Sequence, residues 1–103
     1  MTNAINESKI IVTKIRLFAT FKQITNHREI EYEIEDGTTV RQLLEALFDQ
    51  YNALRDKIFN ENNELRPWIH ILKNGRNIKF LGGIETTLTD GDVVSLFPPV
   101  AGG

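Results

Sequence analysis

An α+β fold, with one helix packed on one face of a small mixed sheet, is predicted by three features of this 103-residue chain. Ile30, Tyr32 and Ile34 alternate with Glu29, Glu31, Glu33 and Glu35, the period-two pattern of a strand with one wet face. Val40, Leu43, Leu44, Leu47, Tyr51, Leu54 and Ile58 recur at spacings of three, four and seven, which makes one apolar stripe on a helix. Asn74–Gly75 lies between two short β-rich runs and is the preferred dipeptide of a two-residue hairpin, whose central residues need positive φ.

The elements follow in order. Residues 1–8 are polar and offer little to bury, so a disordered N-terminal extension is expected there. Lys9–Phe21 is rich in Ile, Val, Thr and Phe and reads as the first strand, with Thr13, Ile15 and Leu17 alternating with Lys14 and Arg16. The glutamate-flanked alternation is the second strand, closed by the turn dipeptide Asp36–Gly37. A helix is expected from Thr39 to about Ile58, because Thr39 and Gln42 form a capping box at its start. At about 1.5 Å per residue it would be nearly 30 Å long. Arg41, Glu45, Asp49, Gln50 and Lys57 face away from its stripe.

Asn60–Arg66 is a polar connection, and Pro67 blocks further helix. Trp68–Leu72 reads as the third strand and Asn77–Leu81 as a short fourth. Gly82–Gly83 permits a bend, and Asp90–Gly91–Asp92 turns the chain into the last strand, Asp92–Phe97, with Val94 and Leu96 on one face. Pro98–Pro99 stops it, since proline cannot donate to a sheet ladder. This is the element order of the ubiquitin-like β-grasp. The expected organisation is an extension over 1–8, a β-grasp domain over 9–97 and an extended tail over 98–103.

Composition closes off several function classes. The formal net charge is -2, which supplies no basic field for nucleic acid or for anionic lipid. With no cysteine, disulfides, thiolate metal sites and cysteine nucleophiles are excluded, and a reducing, cytoplasmic setting is expected. No apolar run approaches a membrane span of roughly 18–20 residues, and the N-terminus lacks the build of a secretory signal. His27 and His70 stand alone without metal-ligand spacing, no phosphate-cradling glycine loop occurs, and Ser95 lacks a nucleophile elbow. No bound metal or cofactor is expected. The Glu29–Glu35 row and the Lys73, Arg76 and Lys79 cluster read as solvated faces.

The chemistry concentrates in Phe97-Pro98-Pro99-Val100-Ala101-Gly102-Gly103. The prolines hold the chain extended, and Val100, Ala101, Gly102 and Gly103 taper in size, so a partner's backbone can close around the tip. From Pro98 to Gly103 the arm reaches at most about 20 Å. Its carboxylate, with a reference pKa near 3.5, is anionic at neutral pH and inert to nucleophiles until activated, for example as a mixed anhydride with AMP. The internal Gly82–Gly83 pair has no such carboxylate. Phe18 and Phe97 each point opposite to the buried positions of their strands; if the first and last strands are neighbours, the two rings form one apolar patch beside the arm.

These residues together resemble the small subunit of molybdopterin synthase, the MoaD family, among the ubiquitin-like sulfur carriers that include ThiS. The resemblance runs from about Lys14 to Gly103. It rests on Arg16-Leu17-Phe18-Ala19, Asp36-Gly37-Thr38-Thr39-Val40, Leu43-Leu44-Glu45-Ala46-Leu47, Asn74–Gly75, Thr89-Asp90-Gly91-Asp92 and, above all, Leu96-Phe97-Pro98-Pro99-Val100-Ala101-Gly102-Gly103. It departs from the family in its N-terminal extension and in a long connection to the third strand, where Trp68 follows Pro67.

The resemblance implies that an adenylating, ubiquitin-activating-like enzyme uses ATP and Mg²⁺ on the Gly103 carboxylate. A sulfur donor then leaves a thiocarboxylate, and the tail enters the molybdopterin synthase large subunit, which supplies the catalytic side chains for molybdenum cofactor biosynthesis. Gly103 is then the reacting residue, with Phe18, Phe97, Pro98, Pro99, Val100, Ala101 and Gly102 contacting partners. The same activated end could instead modify a protein lysine or supply sulfur to thiamine or tRNA. A non-catalytic β-grasp interaction module is the reading from a different class.

Overall fold

The computed structural model describes residues 9–99 and has the expected α+β architecture. Strand β1 spans Ile10–Leu17, helix α1 Ala19–Thr25, strand β2 Glu29–Glu35, helix α2 Val40–Gln50 and helix α3 Arg55–Ile58. Strands β3 (His70–Lys73), β4 (Arg76–Asn77) and β5 (Val93–Phe97) complete one five-stranded sheet in the order β2-β1-β5-β3-β4. β1 pairs antiparallel with β2 and parallel with β5, and β5 pairs antiparallel with β3. The first and last strands are therefore neighbours, and the last strand lies in the middle of the sheet.

One face of the sheet carries the core. Ile11, Ile15 and Leu17 of β1, Val94 and Leu96 of β5 and Ile71 of β3 are all buried. Val40, Leu43, Leu44 and Leu47 of α2 meet them, joined by Phe48, Leu54, Ile58 and Phe59. The Thr39 hydroxyl accepts a hydrogen bond from the Gln42 backbone N–H at 3.2 Å, and the Gln42 side chain accepts from the Thr39 N–H at 3.0 Å, so the capping box is complete.

Four elements differ from the sequence reading. The first strand ends at Leu17, and Phe21 belongs to α1, which the chain enters through Ala19 at a positive φ of 52°. Phe21 and Thr25 are the buried residues of α1, one helical turn apart, and Asn26 ends it in the left-handed region. The long helix expected to Ile58 stops at Gln50; a 3-10 turn over Asn52–Leu54 and the short α3 then fold the chain back. A continuous 20-residue helix would run about 30 Å. That overshoots the five-residue β5, about 17 Å at 3.4 Å per residue. Bending after Gln50 keeps Leu54 and Ile58 on the core. The third strand starts at His70, not Trp68, and the fourth is two residues long, because the Asn77 side chain accepts from the Lys79 N–H and starts a 3-10 turn over Ile78–Phe80.

The turns are where the dipeptides place them. Asn74 and Gly75 have φ values of 51° and 89°, the pair of positive angles that a two-residue hairpin of this type requires. Gly82–Gly83 is a bend tied by Thr86, whose hydroxyl accepts from the Gly82 N–H at 2.9 Å and donates to the Gly83 carbonyl at 2.7 Å.

Candidate functional site

The tail leaves the body from the end of β5, the strand flanked on both sides by partners. Because β1 and β5 run parallel with Leu17 opposite Leu96, the residues that follow, Phe18 and Phe97, end side by side at one pole. Their rings stack with centroids 4.4 Å apart and planes 12° from parallel. Phe18 is 38% exposed and Phe97 half-buried, so the pair forms a surface. His70, exposed, is the direct cross-strand partner of Phe97, so three rings follow one another across β1, β5 and β3. Pro98 is half-buried against the body and Pro99 is exposed. The chain is thus packed on the body as far as Pro98.

Charge near this pole is largely paired. The Arg16 Nε donates to Glu29 Oε1 at 3.1 Å, and the Lys14 ammonium lies 3.5 Å from the other oxygen. The Arg16 guanidinium, helped by Lys14, holds the Glu29 carboxyl below its ordinary range. Glu31 and Glu33 continue that row along β2 toward the opposite pole.

On the other side of Pro98 the long connection before β3 makes a groove. Phe21 and Ile69 lie beneath it, and Trp68, Arg66 and the two prolines border it, enclosing about 310 Å³. Sequence reading gives Trp68 as the start of the third strand and as a departure from a family pattern, not as a site residue. The signal that it lines a site, an indole directly after a proline in a polar connection, was present but carries no address until the fold brings it to the tail.

Of the residues singled out in the sequence, the structure brings Phe18, Phe97, Pro98 and Pro99 together. Val100, Ala101, Gly102 and Gly103 lie outside the described residues, as do residues 1–8. Among the described residues no group of three or more His, Asp or Glu side chains could hold a metal ion, and no helix is long and apolar enough to cross a membrane.

Comparison with known proteins agrees with this geometry. The family model described as ThiS matches residues 15–103. Small archaeal modifier protein 3 of Haloferax volcanii is 41% identical over 90 residues, covering 87% of this chain and 97% of that protein. An Archaeoglobus fulgidus protein provisionally described as a sulfur carrier is 39% identical over 90 residues, with the same coverage of 87% and 97%. The solution structure of small archaeal modifier protein 1 from Methanosarcina acetivorans superposes with a TM-score of 0.79 at 35% identity, over 92% of this chain and 99% of that one. With a β-grasp body and a family match that runs through its final glycine, the chain belongs to the ThiS family of ubiquitin-like sulfur carriers.

Proposed function

We propose that this protein is a ubiquitin-like carrier whose chemistry is confined to the carboxylate of Gly103, activated and discharged by partner enzymes. The observation that supports it most is the handover at Phe97: a central strand ends on a stacked aromatic pair, and the tail beyond Pro99 has only four residues. In the first step an oxygen of the Gly103 carboxylate attacks the α-phosphorus of ATP, pyrophosphate leaves, and an acyl-adenylate forms. In the second, a sulfide nucleophile attacks the acyl carbon and AMP departs, leaving a thiocarboxylate. ATP and Mg²⁺ belong to the adenylating enzyme; the carrier supplies the acyl group and the docking surface.

Two acceptors remain in view, each on its own observation. The 41% identity to a small archaeal modifier protein favours a lysine amine, which would attack the acyl carbon of the Gly103 adenylate, lose a proton and expel AMP, leaving an isopeptide bond. The tail motif Pro98-Pro99-Val100-Ala101-Gly102-Gly103 favours the pterin precursor held by a molybdopterin synthase large subunit: the thiocarboxylate sulfur would bond to a carbon of the precursor, displacing an oxygen leaving group, and water would then cleave the acyl–sulfur bond and return the Gly103 carboxylate.

Intact-mass analysis of the chain from its native host, with and without one residue appended after Gly103, tests the proposal. The unmodified chain should show an oxygen-to-sulfur exchange at its end, or lysines of other proteins should carry its C-terminal peptide, which trypsin releases after Lys79, and the extended chain should show neither. Loading that survives the extension would overturn the assignment to Gly103.

A further inference from the structure

The connection between α3 and β3 holds a feature that the carrier reading leaves unused. Trp68 is the single tryptophan of the chain, and it is 50% exposed. The Arg66 guanidinium lies over its ring, 5.8 Å from the centroid. Arg66 is anchored from behind: its Nε donates to the Asp56 carbonyl at 2.8 Å and its backbone N–H to the Ile58 carbonyl at 2.9 Å. None of the ion pairs formed among the described residues engages it. An arginine held through Nε and lying over an indole presents its two terminal nitrogens in a preset direction, the fork that a carboxylate fits. Lys57 adds a second cation at the groove and Asp56 a single carboxylate, so the balance there is positive.

The groove cannot be far from whatever receives the tail. Four residues follow Pro99, and at about 3.3–3.6 Å each they extend no more than about 14 Å. An enzyme that acts on Gly103 must therefore bring its own surface to the root of the arm, where Pro98 and Pro99 form one wall of the groove. We propose that this groove docks a segment of the adenylating enzyme that presents a large apolar side chain flanked by a carboxylate. The apolar group would lie on Trp68 and the prolines, and the carboxylate would meet Arg66. This rests on the carrier reading and extends it to a second contact surface, on the far side of Pro98 from the Phe18–Phe97 stack.

Full-length chain made with 5-fluorotryptophan carries a single ¹⁹F label, at Trp68. Titration with the adenylating enzyme of the same organism should shift or broaden that resonance. In ATP–pyrophosphate exchange, Trp68→Ala and Arg66→Glu should each raise the half-saturating chain concentration about tenfold, the scale of an interface anchor, with kcat held within about twofold. Trp68→Tyr, which keeps an aromatic face, should lie between, and it guards against loss of fold in the alanine variant. Normal exchange by the unmodified chain with a static ¹⁹F signal and unchanged half-saturation in the variants would overturn the groove and leave the carrier reading intact. No exchange by the unmodified chain would overturn both. A resonance that moves with chain concentration alone would assign the groove to a second copy of this protein, and the proposal would fall.

Discussion

Asp92 shows how one side chain can fix the geometry of a whole turn. It is 6% exposed, and its carboxylate accepts from the Thr89 N–H at 2.8 Å and from the Asn74 amide at 2.8 Å, with the Lys73 ammonium 3.7 Å away. Asn74 in turn accepts from the Val93 N–H at 2.9 Å, so the β3–β4 turn is clamped to the start of β5. Burial alone would push the Asp92 carboxyl up; the Thr89 and Asn74 donors and the Lys73 charge outweigh it and hold the group below its ordinary value. A carboxyl depressed in the folded state stabilises the protein above the unfolded value of about 3.9, and that stability is lost as pH falls through the folded value. Thermal melts should therefore show Asp92→Asn less stable at pH 7 yet flatter than the parent below about pH 4. Parallel acid slopes would show that the clamp is not electrostatic.

Thr13 is the opposite case, wholly buried between Ile11 and Ile15 with no partner for its hydroxyl among the described residues. An unmet buried hydroxyl costs on the order of 1–3 kcal/mol, and valine has nearly the same shape. Thr13→Val should raise stability by about 1 kcal/mol, read from the urea midpoint at unchanged slope. A loss of stability instead would mean that the hydroxyl has a bonded water.

At the scale of elements, what the sequence discloses depends on whether one local rule acts alone. The alternation over Glu29–Glu35 is legible because β2 is an edge strand with one wet face, so pattern and environment coincide. The start of α2 is legible for the same reason, since a capping box is a purely local device. The end of α2 is not. The stripe Val40 to Ile58 fits a helical period throughout, and only the length of the central strand it packs on, a property of another segment, decides that the chain bends after Gln50. Helix α1 is hidden because Ala19–Thr25 carries a phenylalanine, an isoleucine and two threonines, all better strand formers than helix formers. Its traces are the spacing of Phe21, Ile24 and Thr25 and the asparagine at its end. Packing of Phe21 into the core overrides local preference.

Across the whole molecule, the site divides in the same way. The Phe18–Phe97 pair follows once β1 and β5 are set side by side, because parallel register carries both residues to one end. The Trp68 groove needs α1, α3, the connection before β3 and the end of β5 to converge, and no single stretch encodes that meeting. The strand order gives this convergence a mechanical meaning. β5 is bonded to β1 on one side and β3 on the other, with Val94 and Leu96 fully buried, whereas β4 is a two-residue edge. Under the proposed function, an arm that delivers its tip to another protein's reacting atoms gains from a root that does not open, since slack at the root would blur the position of Gly103. Amide exchange reports local opening directly. The amides of Ile15, Leu17, Val94 and Leu96 should be the slowest to exchange, close to the rate of global unfolding. Those of Arg76 and Asn77 and of the Asn60–Glu64 loop should exchange at least about a hundredfold faster. If Val94 and Leu96 exchange as fast as the β4 edge, the tail is mounted on a strand that detaches, and the partner enzyme, not the β-grasp body, must set the position of its tip.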